Sequence, residues 1–202
     1  TRAPLKGTVV AKSTNAQLGT TELTLGNGIR ITLKHTDFKA DQILLSGSRY
    51  GGIGGYPAID KYSAENAAAV VTTMGVGEFT PTDLRKALAG KTASFSPVIS
   101  QTTDGFRGSS GNKDIETLFQ LLTLYITEPR KDTSLFNSFI QRNKSQYKML
   151  GANPQVAFID TVYKVLYHGS PLTPTAVPKT ENFDKITLNR SFEIYKERLG
   201  NM

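Results

Sequence analysis

Cysteine and tryptophan are absent from this 202-residue chain, and histidine occurs only at His35 and His168. Without cysteine there is no disulfide framework, no cysteine nucleophile, no zinc finger and no iron–sulfur site. That absence does not locate the protein, because cysteine-free chains suit both the cytosol and the bacterial envelope. Two histidines so far apart cannot form a local HExxH or HxxEH zinc motif. Long apolar runs are missing too. The best candidate, residues 118–126, is interrupted by Gln120 and Thr123, so no membrane span is expected. The chain opens on Thr1 rather than methionine and carries no signal peptide, which reads as a mature form or an excised piece.

What is present fits one α/β-sized unit. At 22.0 kDa the chain can bury about 70% of its unfolded surface and needs no staple to fold. Hydrophobic residues at 38% exclude disorder for the bulk of the chain. A net charge of +7 and a pI near 9.5 raise nucleic acid as a partner. The basic residues are scattered, however, in Arg85/Lys86, Arg130/Lys131, Arg142/Lys144/Lys148 and Lys196/Arg198. With no basic tail, aromatic RNA-binding motif or recognition helix, they read as solvated helix faces.

Residues 7–13, 20–25 and 29–33 read as strands; the last two alternate apolar and polar residues. Gly26-Asn27-Gly28 between them signals a tight hairpin with positive φ at both Asn27 and Gly28. Another strand starts at residues 43–45 and runs toward Tyr50. The stretch Gly51-Gly52-Ile53-Gly54-Gly55 reads as a glycine-rich connection rather than a phosphate cradle, since no lysine or capped helix follows at the right spacing. Ser63 is the expected cap of an alanine-rich helix with Glu65 in its first turn, ended by Gly75 and Gly77. Thr80, Pro81 and Asp83 start a second helix that stops at Gly90. Residues 92–100 and 105–110 form two strands around a polar turn, and Pro97 places the first at an edge. Four helices follow. The first spans 114–127, with Leu118, Leu121, Leu122 and Tyr125 as its apolar face. The second is capped by Asp132, with Leu135, Phe136, Phe139 and Ile140 inward. The third starts at Asn153-Pro154 and ends at Gly169, with Val156, Ile159, Val162, Tyr163 and Leu166 inward. A Pro/Thr-rich connector over 170–185 leads to the last, capped by Thr187 and running to Leu199. The order implies α+β: helices on one face of a mostly antiparallel sheet of about five or six strands.

Candidate chemistry is sparse. Ala89-Gly90-Lys91-Thr92 looks like the tail of a Walker A loop, but Arg85 stands where its first glycine belongs. A helix also enters the motif where a strand should, so ATP binding is rejected. No G-x-S-x-G elbow occurs; Gly108-Ser109-Ser110-Gly111 is a turn. His35 reads as a solvated loop residue and His168 as a helix C-terminal residue.

The order of elements resembles the pitrilysin/insulinase zinc peptidases over nearly the whole chain. Leu23-Thr24-Leu25-Gly26-Asn27-Gly28-Ile29-Arg30-Ile31 is similar to the family's opening strand pair. Residues 41–52, with Gly47-Ser48, are similar to its next strand. Tyr167-His168-Gly169-Ser170-Pro171, then Ile186-Thr187 and Tyr195, resemble its "HPYG … I-T … FY" run. The stretch from Gly75-Val76-Gly77-Glu78-Phe79 to Asp83-Leu84-Arg85-Lys86-Ala87-Leu88-Ala89-Gly90-Lys91 resembles the third repeat of bacterial members. Active repeats carry HxxEH on the helix after the glycine loop: two histidines bind zinc, and the glutamate activates water. Here that helix holds Ser63-Ala64-Glu65-Asn66-Ala67-Ala68-Ala69. Glu65 and Ala69 fall in the histidine slots and Ala68 in the glutamate slot.

The resemblance therefore implies a catalytically silent repeat with no catalytic, cofactor or metal residues of its own, zinc being carried by another repeat. It implies one domain over 1–202, a piece of a larger multi-repeat metallopeptidase. Such a repeat would help wall a chamber that encloses peptide substrate, in the cell envelope or periplasm by family analogy. Its partners would be the other repeats and the peptide. A stand-alone basic module for nucleic acid or an acidic partner is the alternative. An enzyme in its own right fits least.

Overall fold

The computed structural model describes residues 7–170, 173, 174, 176 and 178–200; Pro171 and the closing Asn201-Met202 lie outside the described residues. Two compact units divide between Asp41 and Gln42.

The first unit is a meander of β1 (Val9–Asn15), β2 (Thr20–Leu25) and β3 (Arg30–Lys34), antiparallel in that order. The β2–β3 turn differs from the expected primed type. Only Gly28, at φ +87°, is left-handed; Asn27 is not. The Asn27 side chain instead accepts the Ile29 N–H at 3.2 Å, and Leu25 N–H donates to the Ile29 carbonyl. This is a three-residue loop with glycine at its left-handed position, which closes a hairpin equally well. Val9, Val10, Leu18 and Leu33 are each more than half exposed, and among the described residues of this unit only Thr20 is buried. The meander has alternating strands but no buried apolar core among its described residues.

The second unit holds β4 (Ile43–Tyr50), β5 (Ser94–Ile99) and β6 (Thr103–Ser110) in the order β4-β6-β5. The expected single sheet of about five or six strands is thus corrected to two antiparallel sheets of three. The reason lies in β4. Its inward residues Ile43, Leu45, Gly47 and Arg49 pair with Ser110, Gly108, Phe106 and Asp104 of β6, so its inner face continues the helix-covered face of the second unit. The meander's half-exposed strands have no such face to extend. Pro97 lies on the edge strand β5, as its missing N–H favours.

The described residues of the second unit also form six α-helices: α1 (Lys61–Thr73), α2 (Pro81–Ala87), α3 (Ile115–Thr127), α4 (Thr133–Leu150), α5 (Pro154–Leu166) and α6 (Leu188–Leu199). Thr80, Asp132, Asn153 and Thr187 cap α2, α4, α5 and α6 by accepting N–H groups of the first turn. Ser63 is not a cap. A short 3₁₀ turn, Ala58–Asp60, starts α1 early. Ser63 is instead buried against α6, accepting the Thr187 N–H at 3.1 Å while its carbonyl accepts the Ser191 hydroxyl. Ala64, Ala67, Val70 and Val71 of α1, with Met74 just beyond its end, form the main core with Phe139, Ile140, Ile194, Tyr195 and Leu199. A second cluster joins Val76, Ala93 and Phe95 to Leu118, Leu121 and Tyr125. Small helix residues on α1 let α6 approach closely; both helices are therefore fixed against the sheet.

Helix α5 departs from expectation. None of its residues is buried; Ile159 is 40% and Leu166 65% exposed. Of the stripe expected to face inward, Val156, Val162 and Tyr163 are half-buried while Ile159 and Leu166 lie open. Its end is a Schellman turn with His168, at φ +50°, rather than Gly169 in the first left-handed position. His168 N–H bonds to the Val165 carbonyl, and Gly169 N–H to that of Lys164.

Candidate functional site

One stripe of α1, at i, i+3, i+4 and i+7, stays out of the core: Glu65, Ala68, Ala69 and Thr72. It borders the open edge of β5. Between them runs a groove of about 510 Å³, with Phe95 through Ile99 as the far wall and Tyr125 beneath. All three positions that the resemblance assigns to HxxEH therefore line one groove. Their donors do not suit zinc: two methyl groups and one carboxylate offer neither the ligand count nor a base beside the metal. No group of three His, Cys, Asp or Glu able to hold a metal occurs among the described residues.

Glu65 is exposed at the groove rim; the partial cover of its carboxyl raises its pKa, and Lys61 one turn back opposes the shift. No hydrogen bond or ion pair reaches the Glu65 carboxylate among the described residues. Thr72 does not serve it, since its hydroxyl donates to the Ala68 and Ala69 carbonyls. Burial likewise raises Tyr125, keeping its phenol neutral.

A polar hub holds the other end of the sheet. The Asp104 side chain is fully buried, and Arg198 donates to its Oδ2 from Nε and Nη2 at 3.0 and 2.7 Å. Gly52 N–H donates to Oδ1 at 3.0 Å, and Arg49 stands 3.6 Å away. Arg49 also donates to the Arg198 carbonyl. A second network lies beside it. Arg190 pairs with Asp60 at 2.8 Å and with Glu197 at 3.1 Å, and the Tyr56 hydroxyl donates to Glu197. That bond lowers the Glu197 pKa. Burial, with Glu197 adding to it, pushes Tyr56 up to about 12.

These contacts explain the motifs that carry no chemistry. In the glycine loop, Gly51, Gly52, Ile53 and Gly54 donate their N–H groups to Thr102, Asp104, Ser100 and Gln101. With four of the loop's N–H groups so committed, too few remain to cradle a phosphate. In the Walker-like string, Lys91 bonds to Thr117 at 2.8 Å. Thr92 donates to Asp114 from both backbone and hydroxyl. The string ties the approach to β5 to the start of α3. His35 is exposed after β3 in the first unit, and His168 is exposed after α5 in the second. Of the basic groups, Arg198 serves the hub, Arg130 pairs with Asp132 and Lys144 with Asp184. The sequence reading missed Asp104, which it placed in a polar turn. Its partner lies 94 positions away, and no local pattern announces such a pair.

The fold is that of an α+β peptidase domain. The crystal structure of the periplasmic protease PqqL from Escherichia coli superposes with a TM-score of 0.78 at 21% identity, covering 98% of this chain and 21% of that one. The ferredoxin protease FusC, solved with Arabidopsis ferredoxin, also gives 0.78, at 15% identity over 98% of this chain and 22% of its own. In sequence, a probable zinc protease PqqL of Haemophilus influenzae is 25% identical over 176 residues, 86% of this chain and 19% of that protein. A PQQL-like zinc protease of Arabidopsis thaliana is 34% identical over 86 residues, 43% of this chain and 9% of its own. No family model matches the chain. In sequence and in fold the chain is similar to one portion of these PqqL-type zinc proteases. It spans about a fifth or less of the length of these relatives.

Proposed function

We propose that residues 1–202 are a catalytically silent part of a larger zinc metallopeptidase, one that helps enclose peptide substrate. The reading is supported by one observation: Glu65, Ala68 and Ala69, the positions the resemblance assigns to HxxEH, line a groove beside an open strand edge. A methyl group neither ligates zinc nor takes a proton from water. The edge of β5 still offers backbone groups along which an extended chain can lie. In this reading zinc sits in a different repeat of the parent protein, and the partners are those repeats and the peptide. The parent is a zinc endopeptidase. The periplasmic setting of the E. coli relative supports an envelope location.

Elemental analysis and a quenched-peptide assay on the purified chain test this. The expected result is no stoichiometric zinc and no cleavage. One zinc per chain, with cleavage lost on chelation, overturns the reading.

A further inference from the structure

The groove between α1 and β5 holds a single carboxylate, and its setting is unusual. Glu65 lies on the stripe of α1 that faces β5. No hydrogen-bond donor reaches it among the described residues, and it stands exposed at the rim of the groove. The neighbours on its own helix, Ala68 and Ala69, are too short to fill the space in front of it. Thr72 spends its hydroxyl on its own helix. The facing wall supplies Phe95, Pro97, Val98 and Ile99 with only Ser96 between them. So exposed, the carboxylate is free to pair with a cation that a ligand brings. An apolar wall beside it suits the methylene stem of a long basic side chain, whose head stays with the charge. Edge strand β5 sets the form of the ligand: an added strand projects alternate side chains to one face.

We propose that this groove takes an extended peptide segment bearing a lysine or arginine, whose cationic head pairs with Glu65 while its stem lies over Ala68, Ala69 and the apolar side chains of β5. The proposal rests on the peptide-holding reading above and names its selectivity. It runs against the chain's overall +7 charge, so the preference is local to the groove.

The test uses the full chain and three fluorescent peptides, rich in valine and threonine, acetylated and amidated, differing only in a central Lys, Gln or Glu. Anisotropy titrations give the affinities. The Lys peptide is expected to bind about threefold to fivefold tighter than the Gln peptide, with the Glu peptide weakest. Glu65→Gln removes the preference for Lys and leaves the Gln peptide unchanged; matching thermal melts show that the fold is intact. If Lys and Gln peptides bind the natural chain alike, or the preference survives Glu65→Gln, the inference fails and the peptide-holding reading stands. If none of the three binds, both fail. If removing the acetyl group from the Gln peptide restores the tight binding, the groove takes a terminal amine, and the basic-side-chain proposal is overturned.

Discussion

Arg198, in the last turn of α6, donates twice to one oxygen of Asp104 on β6, at 2.7 and 3.0 Å, while Gly52 N–H binds the other oxygen. One buried carboxylate thus fastens the sheet, the final helix and the glycine loop. Removing one partner of a buried pair strands the other charge, which costs about 3 kcal/mol or more. Asp104→Ala is therefore expected to lower the urea midpoint by that equivalent. Asp104→Asn costs less, because it keeps an acceptor for Gly52. An Asp104→Ala variant with the natural midpoint would show the hub to be dispensable.

Gly52 tests the same loop from the backbone side. At φ +76° a side chain is strained, and a Cβ there would stand 2.5 Å from the Ser100 carbonyl oxygen. Gly52→Ala should cost about 2 kcal/mol. Gly55 has open space around it and no left-handed φ, so Gly55→Ala stays within about 0.5 kcal/mol. Paired thermal melts check the contrast; equal losses would mean that the loop is merely intolerant of bulk.

Acid stability has a sign fixed by particular groups. The Thr92 backbone and hydroxyl bonds lower the Asp114 pKa, and the Leu135 N–H and Arg130 lower that of Asp132. The Tyr56 hydroxyl does the same for Glu197. Folded values below unfolded ones mean stability present above the ordinary carboxylate range and lost as pH falls through the folded values. Glu65, raised by burial, has the opposite sign. Its contribution is present at low pH and lost as pH rises. Urea midpoints from neutral pH down to pH 3 should fall steadily, and Asp114→Asn should flatten that fall. At neutral pH Glu65→Gln should be as stable as the natural chain or more so.

How much of this was legible in the sequence depends on range. Local signals held: Thr80, Asp132, Asn153 and Thr187 cap helices because each can accept an N–H two or three positions on, and Pro97 marks an edge. Ser63 misled because a good cap residue was recruited by a distant helix, α6, as a buried acceptor. The Asn27-Gly28 signal paired β2 with β3, but their period-2 pattern did not say which sheet they belong to, since alternation is the same in either. The groove was half visible. Spacing places Glu65, Ala68, Ala69 and Thr72 on one face, but only the fold sets β5 beside them. The Asp104 hub joins segments with no shared local pattern.

Helix α5 yields a prediction about its surface. Phe158 and Val165 are each 69% exposed and Leu166 65%. An exposed apolar stripe of this kind makes a chain self-associate or bind hydrophobic dyes. Phe158→Ser with Val165→Ser should reduce dye binding and sedimentation of oligomers. Each substitution should cost no more than about 0.5 kcal/mol of stability, since neither side chain is buried. A large loss of stability would show that the stripe is covered after all.

The placement of the three lost slots can be tested by restoring them. Positions 65 and 69 lie one turn apart on the exposed face of α1, close enough for two imidazoles to share one ion, and position 68 sits beside them. The triple variant Glu65→His, Ala68→Glu, Ala69→His rebuilds HxxEH in this register. It is expected to bind one zinc per chain, weakly, because two histidines fall short of the three protein ligands of a catalytic site. Cleavage of a quenched peptide is not expected from it. Isothermal titration against the natural chain reads the difference. A variant shifted by one residue, with histidines at positions 64 and 68, buries one ligand in the α1–α6 core, where Ala64 is 2% exposed. That variant should bind no zinc and melt early. Zinc binding by the shifted variant, and not by the first, would mean that the slots were assigned to the wrong face of the helix.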